Sequence, residues 1–257
     1  MEERHFFDID AKLAKLGERR LGEDLLATSM FQETLEAGWI YHDNALEGVV
    51  LSFPEIRDAL ARKAIVDGNC SDEALSTEVR SFKAAIDVVR KLASQQSRTI
   101  TVEQLNRLHE ILTPVEKPRG TSSRNGYRTD RPHHRVYHHD VVPCDTIPLR
   151  LKQLCESLNN EGEPIHTVAR AINAHFELMT IYPWPKNSGK VARLLMNLLL
   201  LRDGYPPAVI PGVERQRYHE SLRAENDRLA DLVADSLRNY CSAACRFLDD
   251  RAARAST

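Results

Sequence analysis

IYPWPKNSGKVARLLMNLLLLRDGYPPAVI, residues 181–210, is a proline-broken loop that feeds a strongly apolar helix. Pro183 and Pro185 exclude a continuous helix, because proline lacks the backbone N–H and clashes with the preceding turn. The helix before the loop reads from Ile165 to Ile181; the one after it runs from about Gly189 to Arg202, and GYPP at 204–207 ends it. Apolar residues on every face of this second helix mark it as a buried central element. A loop that delivers the first turn of a buried helix presents free N–H groups and the positive end of the helix dipole, which together favour an anion. Lys186, Ser188, Gly189 and Lys190 add donors and positive charge, and Gly189 permits close backbone approach. A solvated turn with two lysines fits the same residues, and the local pattern leaves both readings open.

Outward from this stretch the chain reads as helix nearly everywhere. Residues 22–46 form a helix with Leu25, Met30, Leu35 and Ile40 as candidate core positions. Ser52 and Glu55 make a capping-box pattern that starts a helix running to about Ala64. Ser71 caps a long helix carrying Leu75, Val79, Phe82, Ile86 and Val89. Thr101 and Gln104 make a second capping box, and helices follow over 148–158 and from Val213 to about Phe247. Residues 114–146, rich in Pro, Gly, Arg and His, break the pattern, with only Arg135 to Val142 strand-like. The expected fold is all-α, divided into an N-terminal helical region over 1–65 and a core over 66–250.

Composition narrows the function classes. The chain has 257 residues, 42% of them hydrophobic, and a net charge of −2, so it can bury one sizeable core. The near-neutral balance argues against a general nucleic-acid or membrane-surface binder. The longest apolar run, Leu194 to Leu201, is too short to span a bilayer and is interrupted by Asn197. MEERHFFDID lacks the apolar stretch of a signal peptide, and five cysteines without a CxxC pair fit a reduced, cytoplasmic protein. His133, His134, His138 and His139 cluster, but no Cys or Asp pattern completes a zinc signature, so no metal site is assigned. His109 and His175 lie on apolar helices and read as core or groove residues.

The stretch from Ala174 to Ile210 resembles the core of the Fic (Fido) family, whose pattern is H-P-F-x-[D/E]-G-N-G-R-x-x-R followed by LLMN and GYPP. Ile181, Pro183, Gly189, Arg193, Leu194 to Asn197 and Gly204 to Pro207 carry the resemblance. GYRTDRPHHRVYHHDVVP, residues 126–143, is similar to the family's YRT segment and β-hairpin flap. IYHDNALEG, residues 40–48, is similar to its inhibitory helix, [S/T]-x-x-x-E-[G/N]. The resemblance implies a Fic-type helical bundle with a small β-hairpin flap. It also implies transfer of AMP or another phosphate-containing group to a protein hydroxyl, with a motif histidine as base and a motif carboxylate holding Mg²⁺.

Carried over residue by residue, the motif departs at most of its chemical positions. Tyr182 stands at the histidine and Trp184 at the phenylalanine. Lys186 stands at the carboxylate, Asn187 and Ser188 at the first Gly and the Asn, and Lys190 at the first Arg, whereas Gly189 and Arg193 match. A phenol with a pKa of about 10 is mostly protonated at neutral pH and is a poor base unless nearby cations such as Lys186 and Lys190 lower it. A lysine repels Mg²⁺ and offers it no oxygen, but its ammonium can neutralise phosphate directly. The candidate site is therefore Tyr182 and Lys186 for chemistry, with Asn187, Ser188, Gly189, Lys190 and Arg193 for phosphate or nucleotide. Glu47 is the regulatory partner of Arg193, or simply a tie between the N-terminal helix and the core. Three functions remain: altered chemistry on a phosphate-bearing ligand, an inactive nucleotide- or protein-binding Fic module, and a scaffold without a small ligand. The first two are favoured. They call for a nucleotide such as ATP without motif-bound Mg²⁺ and allow a target protein and a homodimer.

Overall fold

The structure, a computed structural model, describes residues 6–20, 25–61, 70–113, 126–132, 139–160, 165–223 and 227–255. Its α-helices are α1 Phe7–Arg20, α2 Leu25–Leu46, α3 Phe53–Ala61, α4 Cys70–Ala93, α5 Val102–Leu112, α6 Ile147–Asn159, α7 Thr167–Ile181, α8 Ser188–Arg202, α9 Arg215–Ser221 and α10 Asp227–Ala255. Among the described residues there is no strand, so the expected all-α class holds. The strand-like reading of 135–142 falls partly outside the described residues, and 139–142 are irregular.

Helix α8 is the axis of the bundle. Every residue from Ser188 to Leu200 is buried, as its all-round hydrophobicity requires. Helix α7 packs along it, and α4 and α5 cover other faces. Asn197, the polar interruption in the apolar run, closes a pair of bonds: its Nδ2 donates to Ala208 O (3.3 Å) and its Oδ1 accepts from Ala208 N (2.8 Å). The chain leaves α8 through Gly204, at φ 82°, where Tyr205 N donates to Leu200 O and Gly204 N to Leu201 O. These two bonds satisfy the last carbonyls, and the positive φ is why glycine stands there.

Both capping boxes form. Thr101 and Gln104 bond reciprocally at the start of α5, and Ser52 and Glu55 do so before α3. Helix α1 was not foreseen. Phe6, Ile9, Leu13 and Leu16 recur at helical spacing, and Asp8 and Asp10 sit in its first turn, where the helix dipole favours them. It packs on α10, with Arg238 Nε donating to Asp8 at 2.9 Å. The reading of Met30 as core needs correction: it is 60% exposed, because the buried positions of α2 lie in its C-terminal half at Ala37, Trp39, Ile40 and Leu46. No helix among the described residues is long and apolar enough to cross a membrane.

Candidate functional site

The loop between α7 and α8 is bracketed by two left-handed residues, Tyr182 (φ 44°, ψ 65°) and Asn187 (φ 63°, ψ 6°). That conformation costs a side-chain-bearing residue roughly 1–2 kcal/mol, so the surroundings must impose it. Arg128 does much of this. It is buried, its Nε donates to Tyr182 O at 2.7 Å, and its Nη2 donates to Ile181 O and Val142 O. Its backbone N–H donates to Pro183 O at 2.8 Å. One guanidinium thus takes up the carbonyls that α7 leaves unpaired at its end. Trp184 is fully buried and stacks on His109, with ring centroids 4.6 Å apart and planes 6° from parallel. The aromatic anchor expected at this position is present, and His109 is a groove residue packed on it.

Two candidate ligand groups instead brace the loop. Ser188 Oγ accepts from Trp184 N (2.9 Å) and donates to Trp184 O (2.8 Å). Asn187 Nδ2 donates to Leu112 O and Thr113 Oγ1. Pro185 and Lys186 are exposed, and the Tyr182 side chain is buried at 6% exposure, edge-on to His139. Beside them lies a cavity of about 280 Å³ lined by Arg128, Thr129, Asp130, Arg131, Pro132, Tyr182 and Pro185.

On the other side of the α8 N-terminus, Glu47 and Arg193 meet as their positions suggested, with Nη2 donating to Glu47 Oε1 at 2.7 Å. A second carboxylate joins them. Asp43 takes the side-on edge of the same guanidinium, Nε to Oδ2 at 2.9 Å and Nη2 to Oδ1 at 2.7 Å. Arg193 Nη1 donates to the Tyr218 hydroxyl at 3.1 Å, and that hydroxyl lies 3.0 Å from His175 Nε2. All four side chains other than Glu47 are almost wholly buried. Burial pushes the Tyr218 hydroxyl up to about 12, against the pull of Arg193. Burial, aided by Arg193, pushes His175 down to about 3, so the imidazole is neutral. Burial raises the Glu47 carboxyl, but the charge and hydrogen bond of Arg193, with Lys190 and His219, outweigh this and hold it below its usual value.

Gly189 explains how Glu47 reaches this place. A Cβ built on Gly189 would stand 2.6 Å from Glu47 Oε1, so only glycine admits the carboxylate at the head of α8. The region that favours an anion therefore already holds one. Lys190 is also engaged: it is 2% exposed and donates to Asn44 Oδ1 at 2.8 Å and to Glu78. The expectation that it joins Lys186 and Arg193 around one phosphate thus meets an ammonium turned towards α2 and α4. The residues missed by sequence reasoning are Asp43 as an Arg193 partner, Tyr218, Arg128, and the Asn44–Glu78 pair on Lys190. Only Asp43 had a local signal, four residues before Glu47 on one helix face.

The loop does not fit a motif-bound Mg²⁺, because Lys186 brings a cation where the ion needs oxygen. Of the histidine cluster, His133, His134 and His138 lie outside the described residues; His139 is buried with Nε2 2.9 Å from Met179 O.

The family model described as "Fic/DOC family" matches residues 99–200. The "Protein adenylyltransferase Fic" of Drosophila willistoni is 28% identical over 231 residues, covering 88% of this chain and 44% of its own length. Its Drosophila melanogaster counterpart is 31% identical over 193 residues, covering 73% of this chain and 37% of its own. The chain thus spans less than half of these relatives. Among solved structures, Fic-1 of C. elegans superposes with a TM-score of 0.77 at 22% identity, covering 95% of this chain and 71% of that one. A Fic domain-containing protein from Bacteroides thetaiotaomicron gives 0.70 at 17%, covering 95% and 94%. At these identities both superpositions establish the fold alone.

Proposed function

We propose, from the premise that this chain belongs to the Fic/DOC family, that it binds a nucleotide such as ATP, or another phosphate-bearing ligand, at the N-terminal end of α8. Binding exchanges the ligand's phosphate for the Glu47 carboxylate and needs no motif-bound Mg²⁺. The observation that carries this reading is that carboxylate. It sits over Gly189 and on Arg193, where free N–H groups and a guanidinium favour negative charge. An internal anion in that place marks the place as one built for anions. Lys186, exposed on the loop, adds positive charge near that end of α8.

The adenylyl transfer in the name of the Drosophila relatives has weak support in these residues. Tyr182 replaces the base and is buried, and Lys186 replaces the metal ligand. Any transfer chemistry here is non-standard. The second reading, a binding module without transferase activity, is favoured by Asp43, which adds a buried bidentate bond to the closed arrangement.

Calorimetric titration of ATP and ADP into wild type and Glu47→Gly, with and without Mg²⁺, tests the proposal. Glu47→Gly should bind at least about tenfold tighter than wild type, since about 1.4 kcal/mol of competition is tenfold. The affinity should not change when Mg²⁺ is removed. Neither form should label itself or added protein from radiolabelled ATP. Strong Mg²⁺-dependent labelling, or nucleotide affinity unchanged by Glu47→Gly, overturns it.

A further inference from the structure

At the far end of α8 a second arginine presents an open fork. Arg202 Nη1 donates to Arg98 O at 2.6 Å, but its Nε and Nη2 are buried and have no hydrogen-bond partner among the described residues. These two N–H groups form the side-on edge of the guanidinium, the same edge that Arg193 offers to Asp43. Both N–H groups of that edge can converge on an oxygen of a phosphate or sulfate. A small cavity of about 20 Å³ opens there, lined by Arg98, Thr167, Arg170, Leu199, Arg202 and Asp203. It is just large enough to hold one water-sized atom.

The charges around the cavity do not cancel. Three guanidiniums face one carboxylate, and that carboxylate is fully engaged, taking Arg98 on Oδ1 and the Thr167 hydroxyl on Oδ2 at 2.6 Å. Arg170 donates to Leu158 O and meets no carboxylate among the described residues. Burial first, and then the charges of Arg98 and Arg170, push the pKa of Arg202 down, against the pull of Asp203. Thr167 opens α7, so the positive end of that helix adds to the field. Buried donors left unpaired beside excess positive charge are costly, and an oxyanion removes both costs together.

We infer that Arg202, Arg170 and Arg98 form an oxyanion site for a phosphate or sulfate group, separate from the head of α8. One oxygen enters the cavity against Nε and Nη2, and the rest of the group lies at its mouth between the flanking arginines. Helix α8 has 15 residues and is about 22 Å long, so the two anion positions lie at opposite ends of the central helix. An anion here ties the start of α7 to the end of α8.

Inorganic phosphate and glycerol 3-phosphate are titrated into the full chain by calorimetry, at ionic strength held constant with NaCl. Arg170→Gln/Arg202→Gln should bind at least tenfold more weakly than wild type. Arg202→Lys keeps the charge and loses the fork; it should weaken binding by a similar factor while its circular dichroism matches wild type. Tighter binding of glycerol 3-phosphate than of free phosphate assigns the site to a phosphate ester, and the reverse to the free ion. Binding that survives the arginine changes, no binding by wild type at millimolar phosphate, or full affinity in Arg202→Lys overturns the inference. If Lys186→Ala alone abolishes binding, the anion belongs at the head of α8, which supports the proposed function and sinks this site.

Discussion

Arg193 and Arg202 lie on the same helix and face opposite fates. Arg193 is 3% exposed, and two carboxylates and a tyrosine hydroxyl take its donors. Arg202 sits at the helix end with one carbonyl on Nη1 and its side-on edge open. The contrast teaches that a guanidinium's role is set by what distant segments bring to it. Helix α2 delivers Asp43 and Glu47 to one; the start of α7 delivers more positive charge to the other. It also shows where closure of the candidate site resides. The α7–α8 loop carries Tyr182 and Lys186 where the resemblance expects a base and a carboxylate, while the α2 side holds Glu47 and carries Asp43 where the similar inhibitory pattern has Ser or Thr.

The largest expected effect comes from breaking the closed end. Arg193→Ala leaves Asp43 buried without its counter-ion and should cost about 3–5 kcal/mol in urea unfolding. Arg202→Ala should cost less than about 1 kcal/mol, because it strands no carboxylate and relieves repulsion. Equal losses at the two arginines would show that the contrast between them is geometric only.

The next comparison weighs the two carboxylates on Arg193. Asp43 is 3% exposed and bidentate, whereas the Glu47 side chain is 29% exposed and makes one bond. Asp43→Ser, which restores the residue type of the family pattern, should cost about 2 kcal/mol, and Glu47→Gln about 1 kcal/mol. Denaturant midpoints that rank the pair the other way would move the anchor of α2 from Asp43 to Glu47.

The smallest step is a pH slope. His175 is pushed down to about 3 from an ordinary value of 6.5. Between these values the unfolded chain binds a proton that the folded chain refuses. Stability is therefore full above pH 6.5 and falls as pH drops, by about 1.4 kcal/mol per unit for one such group. His219, pushed down to about 4 chiefly by burial, adds a slope of the same sign. Glu47 acts lower: its folded value is depressed, so its contribution is present above the unfolded carboxyl value and is lost as pH falls through the folded one. Unfolding free energies at pH 7, 6 and 5 should decline less steeply in His175→Gln than in wild type. Parallel slopes would mean that burial does not keep the imidazole neutral.

Periodicity and punctuation made most of the fold legible. The two capping boxes, the prolines at 183 and 185, the all-round apolar 189–202 segment and GYPP are local signals, and each formed as local physics requires. Helix α1 is equally local, its apolar repeat running from Phe6 to Leu16. Met30 misled because periodicity tells which face is apolar, not how far along a helix the core extends.

The sequence alone identified the loop, Gly189 at the head of α8, the Glu47–Arg193 pairing and the departures at Tyr182 and Lys186, since each is a residue type at a motif position. Only the packed chain decided which side chains face a ligand. Ser188 and Asn187 turned inward to brace left-handed backbone, Lys190 went to Asn44 and Glu78, and Asp43 closed on Arg193. The reason is that buried charge must find its partner in three dimensions. The partners come from α2 and α4, more than a hundred residues away in the chain, and no local pattern records that distance.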